Sequence, residues 1–250
     1  MQPLVEYRAC APGSRTFKTR LIELVAVAIH QIAALLLDLS TSTSIHKDDG
    51  IIDWAPPKSD VLFWAENPKG PYPTLFRHRW YLDYDQYPQC VADVAGYWAE
   101  ARILGGVVLF DRRDPDTAQH TDPEAVYFHS DRQDVTYRIY QLLPEQRNAL
   151  VEFLLAEDPT TLSPLPILGD TENRVRVDPE EPIRETGIYR DIWERKDCLV
   201  PSWGPITKDV RSYLEYPTQQ DQYEASRRAV RRKMRRRAAD RAERARQSET

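Results

Sequence analysis

Glycine is scarce in this chain, and cysteine scarcer still. Nine glycines stand against 19 prolines in 250 residues. No G-x-G-x-x-G and no Gly-Lys-Ser sequence occurs, which excludes the usual glycine-built phosphate cradle; Gly105-Gly106 reads as a helix stop. The three cysteines, Cys10, Cys90 and Cys198, are odd in number, far apart and without C-x-x-C spacing. A disulfide framework and a zinc module are thereby excluded, and a reducing compartment fits. None of the five histidines has H-x-x-x-H spacing. His46 with Asp48, Asp49 and Asp53 lacks the alternating ligands and closing glutamate of a calcium loop. No metal and no cofactor are expected. Ser59, Ser130 and Ser202 lack the G-x-S-x-G elbow of a hydrolase nucleophile. A long unbroken apolar run is also missing. The stretch Leu21 to Leu39 is interrupted by Glu23, His30, Gln31 and Asp38, where a spanning helix wants about 20 almost uniformly apolar residues. No transmembrane span is expected. Glu6, Arg8, Pro12 and Arg15 occupy the place of a signal peptide's apolar core, so the chain is read as soluble and not secreted.

What the sequence does have is a reversal of charge. The chain carries 34 basic and 39 acidic residues, a net of −5. From Arg227 to the end there are 11 basic and 3 acidic side chains, a net of +8, so residues 1–226 carry −13. The dense part comprises Arg227, Arg228, Arg231, Arg232, Lys233, Arg235, Arg236 and Arg237. Arginine and alanine favour helix. Five like-charge pairs at four-residue spacing (227–231, 228–232, 231–235, 232–236, 233–237) oppose it, each by roughly 0.2–0.5 kcal/mol. Their sum melts a short helix that packs on nothing, so the free tail is expected to be disordered or a lone helix until an anion meets it. Three uses compete: a nuclear localisation signal read by an import receptor, sequence-blind and salt-sensitive nucleic-acid binding, and a solubilising tail that folds back on the acidic body. A base-reading leucine-zipper arrangement is excluded, since no asparagine interrupts the arginines and no leucine heptad follows.

The body reads as an α+β fold. Residues 1–16 form an N-terminal arm, 17–157 the core domain, 158–220 a proline-rich acidic arm with short helices, and 221–250 the arginine-rich tail. Leu21, Leu24, Val25, Ala28, Ile32, Leu35, Leu36 and Leu39 follow the three-four repeat of a helix over 17–39. Arg20, Glu23, His30, Gln31 and Asp38 form a polar strip on its other side, and the helix is expected to be buried in the core. A second helix is predicted over 90–103, then a buried strand over 107–110. Strands over 125–129 and 135–142 complete an antiparallel meander, and Pro144 opens a helix to 156. Short pieces are predicted as a strand over 61–64, a helix over 188–193 and a helix over 210–216. Leu165, Ile167 and Leu168 are expected to pin the arm across the domain.

Two segments, YPQCVADVAGYWAEARILGGVVLFDRRDP and VYFHSDRQDVTYRIYQLLPEQR, resemble stretches shared by a family of filamentous-fungal proteins of no assigned activity; the likeness spans about residues 20–158. The resemblance implies a eukaryotic intracellular setting and, more loosely, a place in specialised metabolism. It assigns no site residue.

Eleven of the 25 aromatic residues fall between Trp54 and Trp98. Such a belt fills a core or lines a groove; as a candidate ligand pocket it gathers Trp64, Trp80 and Trp98 with His129. Arg77, His78 and Arg79 beside Trp80 read as an exposed turn. Asp93 and Glu100 lie seven apart on one helix face, in reach of acid–base work, but spacing alone places neither nucleophile nor oxyanion donor, so a solvated face is expected. The expected function is a non-enzymatic accessory or interaction protein of nucleus or cytoplasm, with the tail as localisation signal or polyanion-binding element. The alternatives are an enzyme or small-ligand binder with an aromatic pocket, and a peripheral membrane protein.

Overall fold

The computed structural model describes residues 2–42, 56–61, 64, 70–114, 122, 124–132, 136–158, 162–195, 215–216 and 218–248. A short helix α1 (Gln2–Ala9) precedes the long α2 (Arg15–Ser42). Then come α3 (Val91–Ile103), β1 (Val107–Asp111), β2 (Val126–His129), β3 (Ile139–Gln141) and α4 (Pro144–Leu155). The arm contributes β4 (Arg176–Val177), the one-turn α5 (Ile183–Thr186) and β5 (Ile188–Tyr189), and the tail is α6 (Gln219–Ser248). The fold is α+β: helices pack on one small, curled antiparallel sheet in the order β4-β3-β2-β1-β5.

The central strand pair explains its own composition. Both faces of β1 and β2 are covered, so every residue in them is buried, and a doubly covered strand reads as a continuous apolar run. Side-chain alternation divides the core in two. Val108, Phe110, Val126, Phe128 and Tyr140 face Ile22 and Ala26 of α2 and Leu150 and Val151 of α4. Val107, Leu109, Tyr127, Ile139 and Ile188 face Val94, Tyr97 and Ala101 of α3, with Tyr81 and Tyr87 from the aromatic loop. Ile167 is tied to the domain: its N donates to Leu104 O at 2.8 Å and Tyr140 Oη donates to its carbonyl at 3.0 Å, while Leu168 stays exposed. Gly105 makes this crossing feasible, because its φ is +110° and a Cβ there would stand 2.0 Å from Ile167 O.

Three local expectations are corrected. Val61 and Trp64 are helical rather than extended, with Trp64 N donating to Asp60 O at 3.1 Å; residues 62–63 lie outside the described part. Residues 188–189 are an edge strand, not the start of a helix, because Ile188 and Tyr189 pair with Asp111 and Phe110 of β1. The third concerns the orientation of α2. Ile22, Ala26 and Ala34 are buried, but so are Glu23 and His30, whereas Ile32, Leu35, Leu36 and Leu39 are 56–62% exposed. Of the polar strip, Glu23 and His30 face inward because partners for their charges wait there, while Gln31 and Asp38 stay exposed. Thr16–Ser40 is long and apolar enough to cross a membrane, a property that a core helix of a folded domain can share. The helix proposed over 210–216 and the His46 cluster fall almost wholly, or wholly, outside the described residues.

Candidate functional site

The inward strip of α2 meets α3 in a buried charge network. Asp93 and Glu100 are two turns apart on α3 and share a face. Both are buried rather than solvated. His30 sits between them: Nε2 is 2.9 Å from Asp93 Oδ1 and Nδ1 is 2.8 Å from Glu100 Oε1. Gly96, midway between the two acids, provides the seat, since a Cβ there would lie 2.5 Å from His30 Cδ2. Tyr97 closes the ring edge-on at 4.6 Å between centroids. Arg190, just past β5, donates from Nη1 to Glu100 Oε2 at 2.7 Å, and Val108 N reaches the same oxygen at 3.3 Å.

Burial alone would lower the pKa of His30; the hydrogen bonds to Asp93 and Glu100 outweigh it and raise the value above 6.5. Burial would likewise raise Glu100, but Arg190 and His30 hold it below 4.5. With a carboxylate oxygen on each ring nitrogen, the surroundings favour the protonated ring, and both nitrogens are engaged. The network borders a cavity of about 480 Å³, also lined by Arg20, Glu23, Gln31, Gln89, Arg112 and Trp193. There Glu23 accepts from Arg112 Nη2 at 2.6 Å and from Arg20.

The residues of the proposed aromatic pocket are placed as follows. Trp80 and His129 come together, with ring centroids 5.7 Å apart. His129 is fully buried; its Nδ1 lies 3.2 Å from Tyr81 Oη, and among the described residues Nε2 has no hydrogen-bond partner. His78, expected in an exposed turn, is also fully buried and donates from Nε2 to the His129 carbonyl at 3.2 Å. Burial pushes the His78 pKa down to about 4 and His129 well below its ordinary range, so both are neutral. Trp98 packs on Phe76 at 4.9 Å, and Trp64 Nε1 donates to Pro57 O at 3.1 Å. None of the four described cavities is lined by any of these four residues.

A second charge network joins the tail to the body. Thr218 caps α6 in a reciprocal box, with Asp221 N on Thr218 Oγ1 at 3.1 Å and Thr218 N on Asp221 Oδ2 at 3.2 Å. The root is anchored by Glu215, which accepts from Arg176 Nη1 at 2.8 Å, and by Tyr216, whose hydroxyl meets that of Tyr137 at 2.8 Å. Along one face of α6 lie Ala225, which is buried, then Arg228, Arg232 and Arg235. Arg228 Nε reaches Asp178 Oδ2 at 3.2 Å. Arg232 Nη2 reaches Glu180 at 2.9 Å, while its Nη1 meets Glu181 and lies 3.4 Å from Asp178. Arg235 Nη1 lies 2.8 and 2.9 Å from the two oxygens of Glu185. Asp178 also takes Arg138 Nε at 2.7 Å. Burial would raise Asp178, but Arg138, Arg228 and Arg232 keep its carboxyl below the usual range. Glu180 is pushed up to about 7 by burial against the pull of Arg232, with Asp178 and Glu181 adding to the rise. Arg227 and Arg231 are exposed, Arg227 over the Tyr223 ring at 5.7 Å. The side chains of Lys233, Arg236 and Arg237 lie outside the described part.

Sequence reasoning passed over His30, Arg190 and Asp178. The available signal was a histidine and a glutamate seven apart inside an apolar helix, together with a glycine between two acids on the next one. Among the described residues no group of His, Cys, Asp and Glu is arranged to hold a metal ion. Comparison with family models, with curated proteins and with solved structures finds no match for this chain.

Proposed function

We propose that this chain is a non-enzymatic interaction protein of nucleus or cytoplasm that engages a polyanionic partner through its C-terminal helix. One observation carries the reading: α6 is a continuous basic helix, about 45 Å long at 1.5 Å per residue, rooted in the core at Glu215 and Tyr216. One side is met by carboxylates of the body, and Arg227, Arg231, Arg241 and Arg246 stand exposed. The like-charge repulsion that would melt a free tail is relieved on the docked side, and an anionic partner would relieve it on the other. The two buried histidine clusters point the same way. His30 has both nitrogens committed, and His129 and His78 are packed and neutral, which suits a scaffold more than proton transfer.

The test uses the full chain. Binding of a short fluorescent poly-glutamate peptide and of a short duplex DNA is followed by anisotropy as salt is raised. Affinity is expected to fall roughly tenfold or more between low and physiological salt. The outward variant Arg227→Ala/Arg241→Ala is expected to weaken binding further. Localisation is tested with a fluorescent fusion of the full chain, in which Arg231, Lys233, Arg235, Arg236 and Arg237 are changed to Ala. Unchanged distribution would remove the address reading, and unchanged affinity would remove the polyanion reading.

A further inference from the structure

We infer that the acidic segment 178–185 is an internal stand-in for the tail's partner, and that the natural occupant of the face Arg228–Arg232–Arg235 is an acidic peptide segment that displaces it. This rests on the polyanion reading above and adds to the exposed side of α6 a second, covered face, with its partner chemistry and its regulation.

The occupied face is regular. Positions 228, 232 and 235 follow the four-then-three spacing of a single helix face. Their present ligands are carboxylates of a polypeptide, with Asp178 on Arg228, Glu180 and Glu181 on Arg232, and Glu185 on Arg235. Recognition of spaced acids by an arginine cluster is a recurrent peptide-binding mode.

The attachment is built to exchange. Among the described residues, the backbone hydrogen bonds outside helices and strands include none between α6 and residues 176–187, so side chains alone join them. Loosening them breaks no backbone hydrogen bond between the two segments, and an acidic partner that replaces the carboxylates keeps the repulsion along α6 relieved. Burial is graded: the Arg232 side chain is 9% exposed, Arg228 37% and Arg235 59%. The distal pair, Arg235 with Glu185, is the kind of solvent-facing contact that contributes little to docking. Opening therefore starts at Arg235 and proceeds toward Arg232. The acidic segment keeps its shape when the helix leaves, because Asp178 is also held by Arg138 and by Tyr216 Oη at 3.3 Å. Glu180 and Glu181 then repel each other, which favours recapture of Arg232.

The space beside this contact favours a peptide over a nucleic acid. A cleft of about 770 Å³ lies between α6 and the sheet, with Arg113, Arg176 and Tyr127 in its wall. Asp122, Asp178, Glu181 and Glu185 line the same cleft. With seven arginines beside those four carboxylates the wall is of mixed sign, which a phosphate backbone of a single sign matches less well. An acidic peptide can place its charges on the arginines and neutral residues against the acids.

The experiment measures binding of a fluorescent peptide with the sequence of residues 177–186 to the full chain, beside a short duplex DNA. The variant Glu180→Gln/Glu181→Gln/Glu185→Gln discharges the stand-in. If the tail of the wild type is free about one tenth of the time, the variant binds the peptide about tenfold tighter, since apparent affinity scales with the competent fraction. Adding Arg228→Ala/Arg232→Ala/Arg235→Ala is expected to abolish the gain. Glu185→Gln alone, at an exposed position that the fold does not need, is expected to give a gain of about twofold. Equal peptide affinity in wild type and in both discharged variants overturns the inference and leaves the polyanion reading standing. A larger gain for the duplex than for the peptide overturns the choice of partner. No binding of either probe to any variant overturns both readings.

Discussion

The molecule holds two clusters of buried charge, and they differ in depth. In the core cluster the side chains of His30, Asp93, Glu100 and Arg190 are all between 0 and 6% exposed. In the tail cluster exposure climbs from Asp178 at 2% through Arg138 at 10% to Arg228 at 37% and Arg235 at 59%. The core cluster joins three segments whose bonded residues are 63 to 160 positions apart. Removing any member strands a charge that water cannot reach. The tail cluster joins a helix to a loop at the surface, and its outer members are hydrated whether paired or not. Depth therefore separates a weld from a clasp: a buried partner is indispensable because its loss is uncompensated, and an exposed one is exchangeable.

The largest effect should come from breaking the weld. Glu100→Ala leaves His30 and Arg190 without their shared carboxylate and is expected to cost about 3–5 kcal/mol in urea unfolding, as for other broken buried pairs. Next comes Gly96→Ala. Its methyl group would enter the His30 ring at 2.5 Å, and overpacking of this kind costs about 1–3 kcal/mol. His30→Ala alone should also destabilise. Combined with Gly96→Ala it should cost less than the two separate losses added together, because the ring that clashes is gone. Strict additivity would falsify the seat assigned to Gly96.

These two positions also show what a sequence can disclose. The spans of α2 and α3 were legible from their three-four periodicity, and the β1–β3 meander from the Gly105-Gly106 stop and the apolar runs that follow. The inward face of α2 was not legible. Hydrophobicity places Leu35, Leu36 and Leu39 inside and His30 outside, and the reversal depends on Asp93, Glu100 and Arg190, which no local pattern links to residue 30. The edge strands were hidden for a related reason. Ile188 and Tyr189 have no period to reveal in two residues, and their extended state comes from pairing with β1. At the tail, charge density was plain, but Asp178, Glu180, Glu181 and Glu185 looked like ordinary solvated acids of a proline-rich arm. The His129 environment was anticipated only in part, since Trp80 joins it while Trp64 and Trp98 make their contacts elsewhere.

A rise from about pH 6 to pH 8.5 should weaken both clusters, with a smaller effect than either core substitution. The folded pKa of His30 lies above its unfolded value of about 6.5. Its contribution is therefore complete below pH 6.5 and is lost as pH rises through the folded value. Glu100 and Asp178 have lowered folded values, so their contributions vanish only on acidification below the ordinary carboxylate range. Glu180 behaves differently. With a folded pKa of about 7, its ionisation costs global stability as pH rises from 4.5 through 7. A hydrogen-exchange comparison of α3 at pH 6 and pH 8.5 should find α3 less protected at the higher pH, with that response absent in His30→Gln. A response that survives in His30→Gln would mean that another group governs the opening of α3.

The smallest effect should come from the outermost pair, and it bears directly on the idea of a clasp. Arg235 and Glu185 are each more than half exposed, and pairs of this kind contribute at most about 1 kcal/mol, often nothing measurable. Arg235→Ala is therefore expected to leave the urea midpoint of the body within error, whereas Arg232→Ala, which removes a guanidinium shared by Asp178, Glu180 and Glu181, should loosen α6 visibly in hydrogen exchange. If Arg235→Ala releases the helix as fully as Arg232→Ala does, docking is all-or-none and the depth of each arginine does not set the order of opening.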